Sequence, residues 1–258
     1  MIKIEKVSVY GLEEAIRGMR NPMNSWNKRD SNFCAYSEHT PKCGECTYKN
    51  VCNANESDVC TRYIVGPNDY KLMMNLAAGG PVHAKYRRMI VVYLDITAPL
   101  YWWKEFDTYK VGTVANSCST MHKIHAKEFT WGDFSVEHLT NFGMWGEQFT
   151  DADAVYAPAK TMGCIISALN GARNRYLDLK SREAQWEHQA KQAWWQMIQL
   201  LPSSYNQKRT IILNYEVLAG IYPMRKGHKL DEWREFCQWI EQLPYSEIII
   251  GEKEESNE

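Results

Sequence analysis

The sequence predicts an α+β fold in which a mixed sheet is flanked by long helices. Residues 1–10 alternate apolar and polar side chains, and residues 89–97 form a β-branched, apolar run, so both segments are predicted strands. Residues 158–179 and 182–201 repeat apolar side chains at the helical period. A chain of 258 residues can form one hydrophobic core, so we expect a single domain over residues 1–258.

The predicted elements of the first half end at residues that break regular structure. Gly11 ends the first strand, and the Asn21–Pro22 pair stops the helix that follows it. Gly79 ends the next predicted helix, over residues 68–78. In chain order we predict a strand over 1–10, a short helix over 12–19, a polar insertion over 24–62, a helix over 68–78, a strand over 89–97 ended by Ala98–Pro99, and a helix over 101–106.

The second half is predicted to be mainly helical. Residues 107–127 are rich in Thr, Ser and Asn, which is typical of a binding segment. The helix over 182–201 is stopped by Pro202, and residues 211–221 are apolar enough for either a strand or a helix. A last helix is predicted over 229–243. The acidic tail over 252–258 is expected to be disordered.

Composition and charge narrow the function classes. The chain is 45% hydrophobic, 24% charged and 12% aromatic, and its net charge is −1. This balance excludes a non-specific nucleic-acid binder, which would carry a basic surface. No stretch approaches the ~20 apolar residues of a membrane helix, and the first six residues alternate where a signal peptide would be apolar. We therefore expect a cytoplasmic protein with no membrane partner.

Five of the eight cysteines fall in the polar insertion. In a reducing compartment this density favours a metal site over disulfides, because four thiolates hold either tetrahedral zinc or a [4Fe–4S] cluster. The sequence does not decide between the two metals, and unliganded thiols are the alternative. Cys118, Cys164 and Cys237 fall in or beside elements that are predicted to form the core, and they need no metal. The candidate ligands are Cys34, Cys43, Cys46, Cys52 and Cys60.

From His83 onward the landmarks resemble those of the flavin-dependent thymidylate synthase family. His83 precedes the strand that ends in Ala98–Pro99, and Leu201–Pro202 closes a Trp-rich helix. Asn214 then opens a segment that ends in Met224–Arg225. His228 and Glu232 follow in the family's order. The similarity spans about 150 residues, mostly as spacing of these landmarks.

This resemblance implies a largely antiparallel sheet and a reductive methylation. A one-carbon unit from methylenetetrahydrofolate would pass to deoxyuridine monophosphate (dUMP), with FAD reduced by NADPH as the hydride donor and sites shared in a homotetramer. By position in the family motifs, the flavin-side residues would be His83, Lys110, Thr113, Asn214 and His228. Arg225 would bind the substrate phosphate. The residues near the nucleotide, taken as catalytic, would be Asn116, Cys118 and Ser119.

This sequence departs from the family's pattern in the segment where the family's positive charge is densest. Thr108, Tyr109 and Lys110 stand where the family carries Arg-His-Arg, and Glu216 stands where it usually carries a basic residue. Fewer cations predict weaker binding of phosphorylated ligands. Two alternatives therefore remain: a non-flavin nucleotide-binding or nucleotide-modifying protein on the same scaffold with an iron–sulfur or zinc site, and a non-catalytic interaction protein that uses its aromatic residues at subunit interfaces.

Overall fold

The computed structural model of the chain describes residues 2–34, 63–140 and 157–251. Two compact units are present, and we treat each by itself. The sheet unit comprises Ile2–Ile96, Glu105–Asn116 and Arg209–Glu258. The helix-pair unit comprises Thr97–Lys104 and Ser117–Lys208. The predicted single domain stays a prediction, and its parts over 35–62 and 252–258 lie outside the described residues.

The strands form one four-stranded sheet and one two-stranded sheet. Their bounds are β1 Lys3–Tyr10, β2 Asn32–Phe33, β3 Tyr63–Ile64, β4 Val91–Pro99, β5 Val114–Ser117 and β6 Asn206–Asn214. The larger sheet has the order β1-β4-β6-β5, and β2 pairs antiparallel with β3. Strands β4 and β6 are also antiparallel, because the Tyr215 amide donates to the Ile90 carbonyl at 3.0 Å while the Leu100 amide donates to the Tyr205 carbonyl at 3.0 Å. The predicted fold class is confirmed.

Most helices lie close to their predicted positions, but the sequence does not predict the helix over Glu247–Ile250 and leaves the segment 211–221 open between strand and helix. Their bounds are α1 Leu12–Arg20, α2 Pro67–Ala78, α3 Leu100–Phe106, α4 Pro158–Lys180, α5 Glu187–Leu200, α6 Tyr215–Arg225, α7 Asp231–Glu241 and α8 Glu247–Ile250. In the described parts of the chain, none of the helices has both the length and the apolar character that crossing a membrane requires.

Helix α1 illustrates how the sheet unit builds its core. Leu12, Ile16 and Met19 recur at the helical period and are all buried. Gly11 makes the turn from β1 into this helix with a φ of +93°, and a Cβ there would lie 2.0 Å from the Met89 carbonyl oxygen. Only glycine fits this turn, because any side chain would collide with a rigid backbone group.

The helix-pair unit is held together by the facing apolar sides of α4 and α5. Its buried cluster includes Ile124, Phe129, Phe134, Met162, Ile166, Leu169, Ala172 and Met197. The predicted helix over 182–201 begins five residues late, since Glu183 is extended and a short 3₁₀ turn, Ala184–Trp186, precedes α5. The extended residue lets the chain reverse after α4.

Three further sequence expectations need correction or refinement. The segment 107–127 contains strand β5, whose four residues are all exposed and therefore show no apolar alternation. The segment 211–221 is a strand up to Asn214 and a helix after it. Cys164 lies on α4 and Cys118 directly follows β5, and both side chains are exposed, whereas Cys237 is buried on α7, where burial raises its pKa to about 11.

Candidate functional site

The candidate site is a cleft of about 570 Å³ within the sheet unit. One wall is the segment 108–112, which connects α3 to β5, and the other is the first part of α6. Lys110 and Asn214, more than a hundred positions apart in the chain, both line it. Arg88 enters the cleft from the 3₁₀ turn that precedes β4. A cavity of this size can bury a cofactor-sized ligand.

Asn214 and Gly112 fix the shape of the cleft. The Asn214 Oδ1 atom accepts a hydrogen bond from the Val217 amide at 3.0 Å, which caps the start of α6. Gly112 has a φ of +81°, and a Cβ there would lie 3.0 Å from Val217 Cγ2 and 3.1 Å from Asn214 Nδ2. The backbone of the connecting segment therefore approaches the helix start more closely than a larger residue would allow.

The charged groups of the cleft are unequally neutralised. The Glu216 carboxylate faces Arg87, with an Oε2 to Nη1 distance of 3.7 Å, and Arg87 also donates to the Ala77 carbonyl at 3.1 Å. Arg88 and Lys110 are exposed and make no ion pair with any residue that the structure describes. The cleft therefore presents two cations to a ligand, and its one carboxylate is offset by Arg87.

Arg225 belongs to a compact polar cluster beside the cleft wall. Its Nη1 atom lies 2.6 Å from Glu105 Oε2, and its Nε donates to the Tyr109 hydroxyl at 2.9 Å. The guanidinium carbon stacks over the Trp233 ring, 4.4 Å from the centroid, and the Trp233 indole donates to Glu105 at 2.9 Å. Arg225 is therefore held by an internal carboxylate and two aromatic rings. Its role as a phosphate ligand stays a prediction.

Two other predicted flavin-side residues lie near this region. The Thr113 hydroxyl donates to the Tyr109 carbonyl, which pins the turn that carries Lys110. His228 Nε2 lies 3.6 Å from Glu105 Oε2, and its Nδ1 accepts from the Leu230 amide at 3.2 Å. Both side chains therefore support the walls of the site, and neither lines the cleft.

The remaining predicted residues are not brought into the cleft. His83 lines a second, mainly apolar cavity of about 610 Å³ in the sheet unit. Asn116 is exposed on β5. Cys118 and Ser119 belong to the helix-pair unit, where the Ser119 hydroxyl accepts from the His122 amide at 2.9 Å. Their proposed nucleotide roles therefore have no support from this cavity.

The predicted metal site cannot be built from the residues described. Cys43, Cys46, Cys52 and Cys60 lie outside the described residues, and Cys34 is half-buried just before them. Within 2–34, 63–140 and 157–251, no group of three or more His, Cys, Asp or Glu side chains could hold a metal ion. The metal therefore stays a prediction.

Sequence reasoning missed Arg88 and Glu105. Arg87 and Arg88 come directly before the clearest strand of the chain, and neighbouring antiparallel strands bring the start of one beside the end of the other. Since β6 ends at Asn214, a cation just before β4 is brought to the start of α6. That pairing could have flagged Arg88, whereas no pattern connects Glu105 with Arg225.

Comparisons with known proteins show the same fold at low sequence identity. No protein-family model and no curated protein sequence matches the chain. The chain is similar to thymidylate synthase X from Helicobacter pylori, solved with FAD and dUMP, with a TM-score of 0.53 and 15% identity over 96% of both chains. A second structure, of flavin-dependent thymidylate synthase from the same organism complexed with FAD and dUMP, has a TM-score of 0.52 and 14% identity over 96% of this chain and 95% of that one. This likeness establishes a shared fold.

Proposed function

We propose that the chain is a flavin-dependent, nucleotide-modifying enzyme of the thymidylate synthase type. The observation that carries the proposal is that Lys110 and Asn214, assigned to the flavin by separate sequence landmarks, line one cleft. The shared fold with a thymidylate synthase solved with FAD and dUMP supports the same conclusion. The proposed reaction transfers a one-carbon unit to dUMP, with folate as donor, NADPH as reductant and a homotetramer as the assembly.

The cleft residues fit a flavin that carries phosphate. Lys110 offers a mobile cation, and the Asn214 Nδ2 amide remains able to donate because the cap uses only Oδ1. Val111 and Val217 supply apolar wall for a ring system. Thr113 would act by holding the turn that presents Lys110. When bound, a flavin supplies hydride transfer.

The proposed nucleotide site centres on Arg225. Its guanidinium has one face on Trp233 and is paired with Glu105, so a substrate phosphate must compete with that carboxylate. Asn116, Cys118 and Ser119 remain proposed nucleotide contacts on the basis of the family resemblance alone. His83 and His228 remain proposed flavin-side residues on the same basis.

An absorption spectrum of the purified chain tests the flavin proposal. We expect bound FAD to shift and sharpen the flavin band near 450 nm in a saturable titration. We also expect dUMP to raise the melting temperature, because a ligand that binds only the folded state stabilises it. No spectral change and no thermal shift at saturating ligand would contradict the proposal.

The same spectrum distinguishes the flavin-dependent enzyme from a second candidate function. Glu216 in the cleft, together with Thr108 and Tyr109 in place of Arg-His, favours a nucleotide-binding protein that has lost flavin. In that case dUMP would still raise the melting temperature while FAD would leave the spectrum unchanged. A broad band near 400 nm from anaerobically purified protein would indicate the proposed iron–sulfur cluster. Stoichiometric zinc in a colourless sample would indicate a zinc site in its place.

Glu105→Gln is expected to tighten dUMP binding several-fold. The amide keeps the shape and can still accept the Trp233 hydrogen bond, but it removes the charge that competes with phosphate for Arg225. The measurement is the dissociation constant of dUMP by calorimetric titration. Asp107→Asn, which neutralises a surface carboxylate paired with Arg209, is the matched control and should not change the constant. Unchanged or weaker dUMP binding by a folded Glu105→Gln variant would contradict the proposal that Arg225 binds the substrate phosphate.

A further inference from the structure

The 3₁₀ turn before β4 brings a cation into the cleft that the family resemblance did not assign. In this turn, Ala84–Met89, consecutive side chains point about a third of a turn apart. Arg87 therefore faces Glu216 while Arg88 faces the cleft. The turn is fixed against the start of α6, because the Ile90 carbonyl accepts from the Tyr215 amide at 3.0 Å.

The charge balance around Arg88 favours an anionic ligand. Arg87 and Glu216 offset each other, and the Arg87 guanidinium also donates to the Ala77 carbonyl. Arg88 and Lys110 remain exposed, and neither pairs with a carboxylate among the described residues. They approach the cleft from different elements, so a ligand between them would meet cations on two sides. Helix α6 begins in the same cleft, and its dipole adds positive potential there.

We propose that Arg88 and Lys110 together form a phosphate-binding pole of this cleft. A guanidinium can hold two phosphate oxygens at once, whereas the lysine ammonium acts as a movable point charge. Arg88 thus supplies, from the turn before β4, positive charge that Thr108 and Tyr109 do not provide. The inference deepens the proposed function and rests on it where the phosphate is assigned to a flavin nucleotide.

Riboflavin and FMN, which differ only by one phosphate group, test the proposal. Riboflavin lacks the phosphate that FMN carries, and flavin fluorescence reports the dissociation constant of each. We expect the wild-type chain to bind FMN at least about tenfold more tightly than riboflavin, since a charge-assisted contact contributes that much. Higher ionic strength should weaken FMN binding and leave riboflavin binding nearly unchanged, because the cations are exposed.

Arg88→Gln is the decisive variant. It should reduce the preference for FMN over riboflavin by about tenfold while riboflavin binding stays the same, and Arg88→Lys should retain part of the preference. Arg17→Gln is the matched control, because Arg17 is an exposed arginine on α1 in the same unit and does not line the cleft. This control should behave as wild type.

The outcomes separate the inference from the proposed function. If both flavins bind equally well, or if Arg88→Gln keeps the FMN preference, the phosphate-binding pole is overturned while the flavin function stands. If no flavin binds, inorganic pyrophosphate is the probe, measured by calorimetric titration. Pyrophosphate binding that is lost in Arg88→Gln supports the pole and overturns the flavin function. Binding of neither flavin nor pyrophosphate overturns both.

Discussion

Asp69→Asn is expected to lower the free energy of unfolding by about 3 to 5 kcal/mol, since it leaves a buried guanidinium without its counter-charge. Asp69 is fully buried, and its Oδ1 atom accepts from Arg20 Nε at 2.6 Å and lies 2.6 Å from Arg20 Nη2. Its Oδ2 atom accepts from the Ser31 hydroxyl at 2.6 Å and from the Asp30 amide at 3.0 Å. One carboxylate therefore ties α1, α2 and the chain around residue 30 together.

The same carboxylate makes stability depend on pH. Burial acts to raise the pKa of Asp69, but the hydrogen bonds from Ser31 and the Asp30 amide and the charge of Arg20 outweigh it, so the pKa is below its usual value. A depressed pKa adds stability above the unfolded value of about 4, and this stability is lost as the pH falls through the folded pKa. Asp69→Asn should therefore lose less stability on acidification than the wild type does.

Urea unfolding at about pH 7 and about pH 3 measures both effects. The control is Asp178→Asn, which breaks an exposed pair at 2.8 Å between Asp178 on α4 and Arg182 just after this helix, and it should stay within about 0.5 kcal/mol of the wild type. A loss below about 1 kcal/mol for Asp69→Asn would contradict the assignment of a buried, mutually dependent ion pair.

Trp233→Ala is expected to cost about 3 to 5 kcal/mol of stability and to weaken nucleotide binding as well. The Trp233 side chain is fully buried, and its ring packs against Phe106 and Phe236 with centroid distances of 6.4 and 5.9 Å. The same ring supports the Arg225 guanidinium and donates to Glu105. Removing it therefore opens a cavity and releases both charged groups of the proposed phosphate site.

Trp233→Phe separates packing from the polar contacts. It keeps an aromatic ring beneath Arg225 but loses the indole donor to Glu105, so we expect a cost of about 1 to 2 kcal/mol. Urea unfolding gives the stabilities, and calorimetry with dUMP gives the affinities. If Trp233→Ala unfolds with the wild-type midpoint, the core assignment of this residue is wrong. If it remains folded and binds dUMP normally, Arg225 does not depend on the ring.

The fold was largely predictable because its main elements carry strong periodic patterns. The stripe of Leu12, Ile16 and Met19 specifies one buried face, and the apolar run of β4 fits a strand at the centre of the sheet. Strand β5 was missed because it is an edge strand whose residues are all exposed. Backbone hydrogen bonds pair it with β6, and the pattern of its side chains does not indicate this pairing.

The candidate site was less predictable because it depends on which strands pair. Lys110 and Asn214 were found through landmark order, which survives low sequence identity. Arg88 enters the same cleft only through the pairing of β4 with β6, and a single sequence does not state that pairing. The partner of Arg225 is equally non-local, since Glu105 lies 120 positions earlier in the chain.

The central claim is that this chain modifies a deoxyuridine nucleotide with the help of a flavin. The most direct measurement is mass spectrometry of dUMP incubated with the chain, FAD, NADPH and methylenetetrahydrofolate. The proposed function predicts a nucleotide with one added carbon, formed only when both flavin and reductant are present. Unchanged dUMP, under conditions in which the flavin spectrum shows saturated FAD binding, would contradict it.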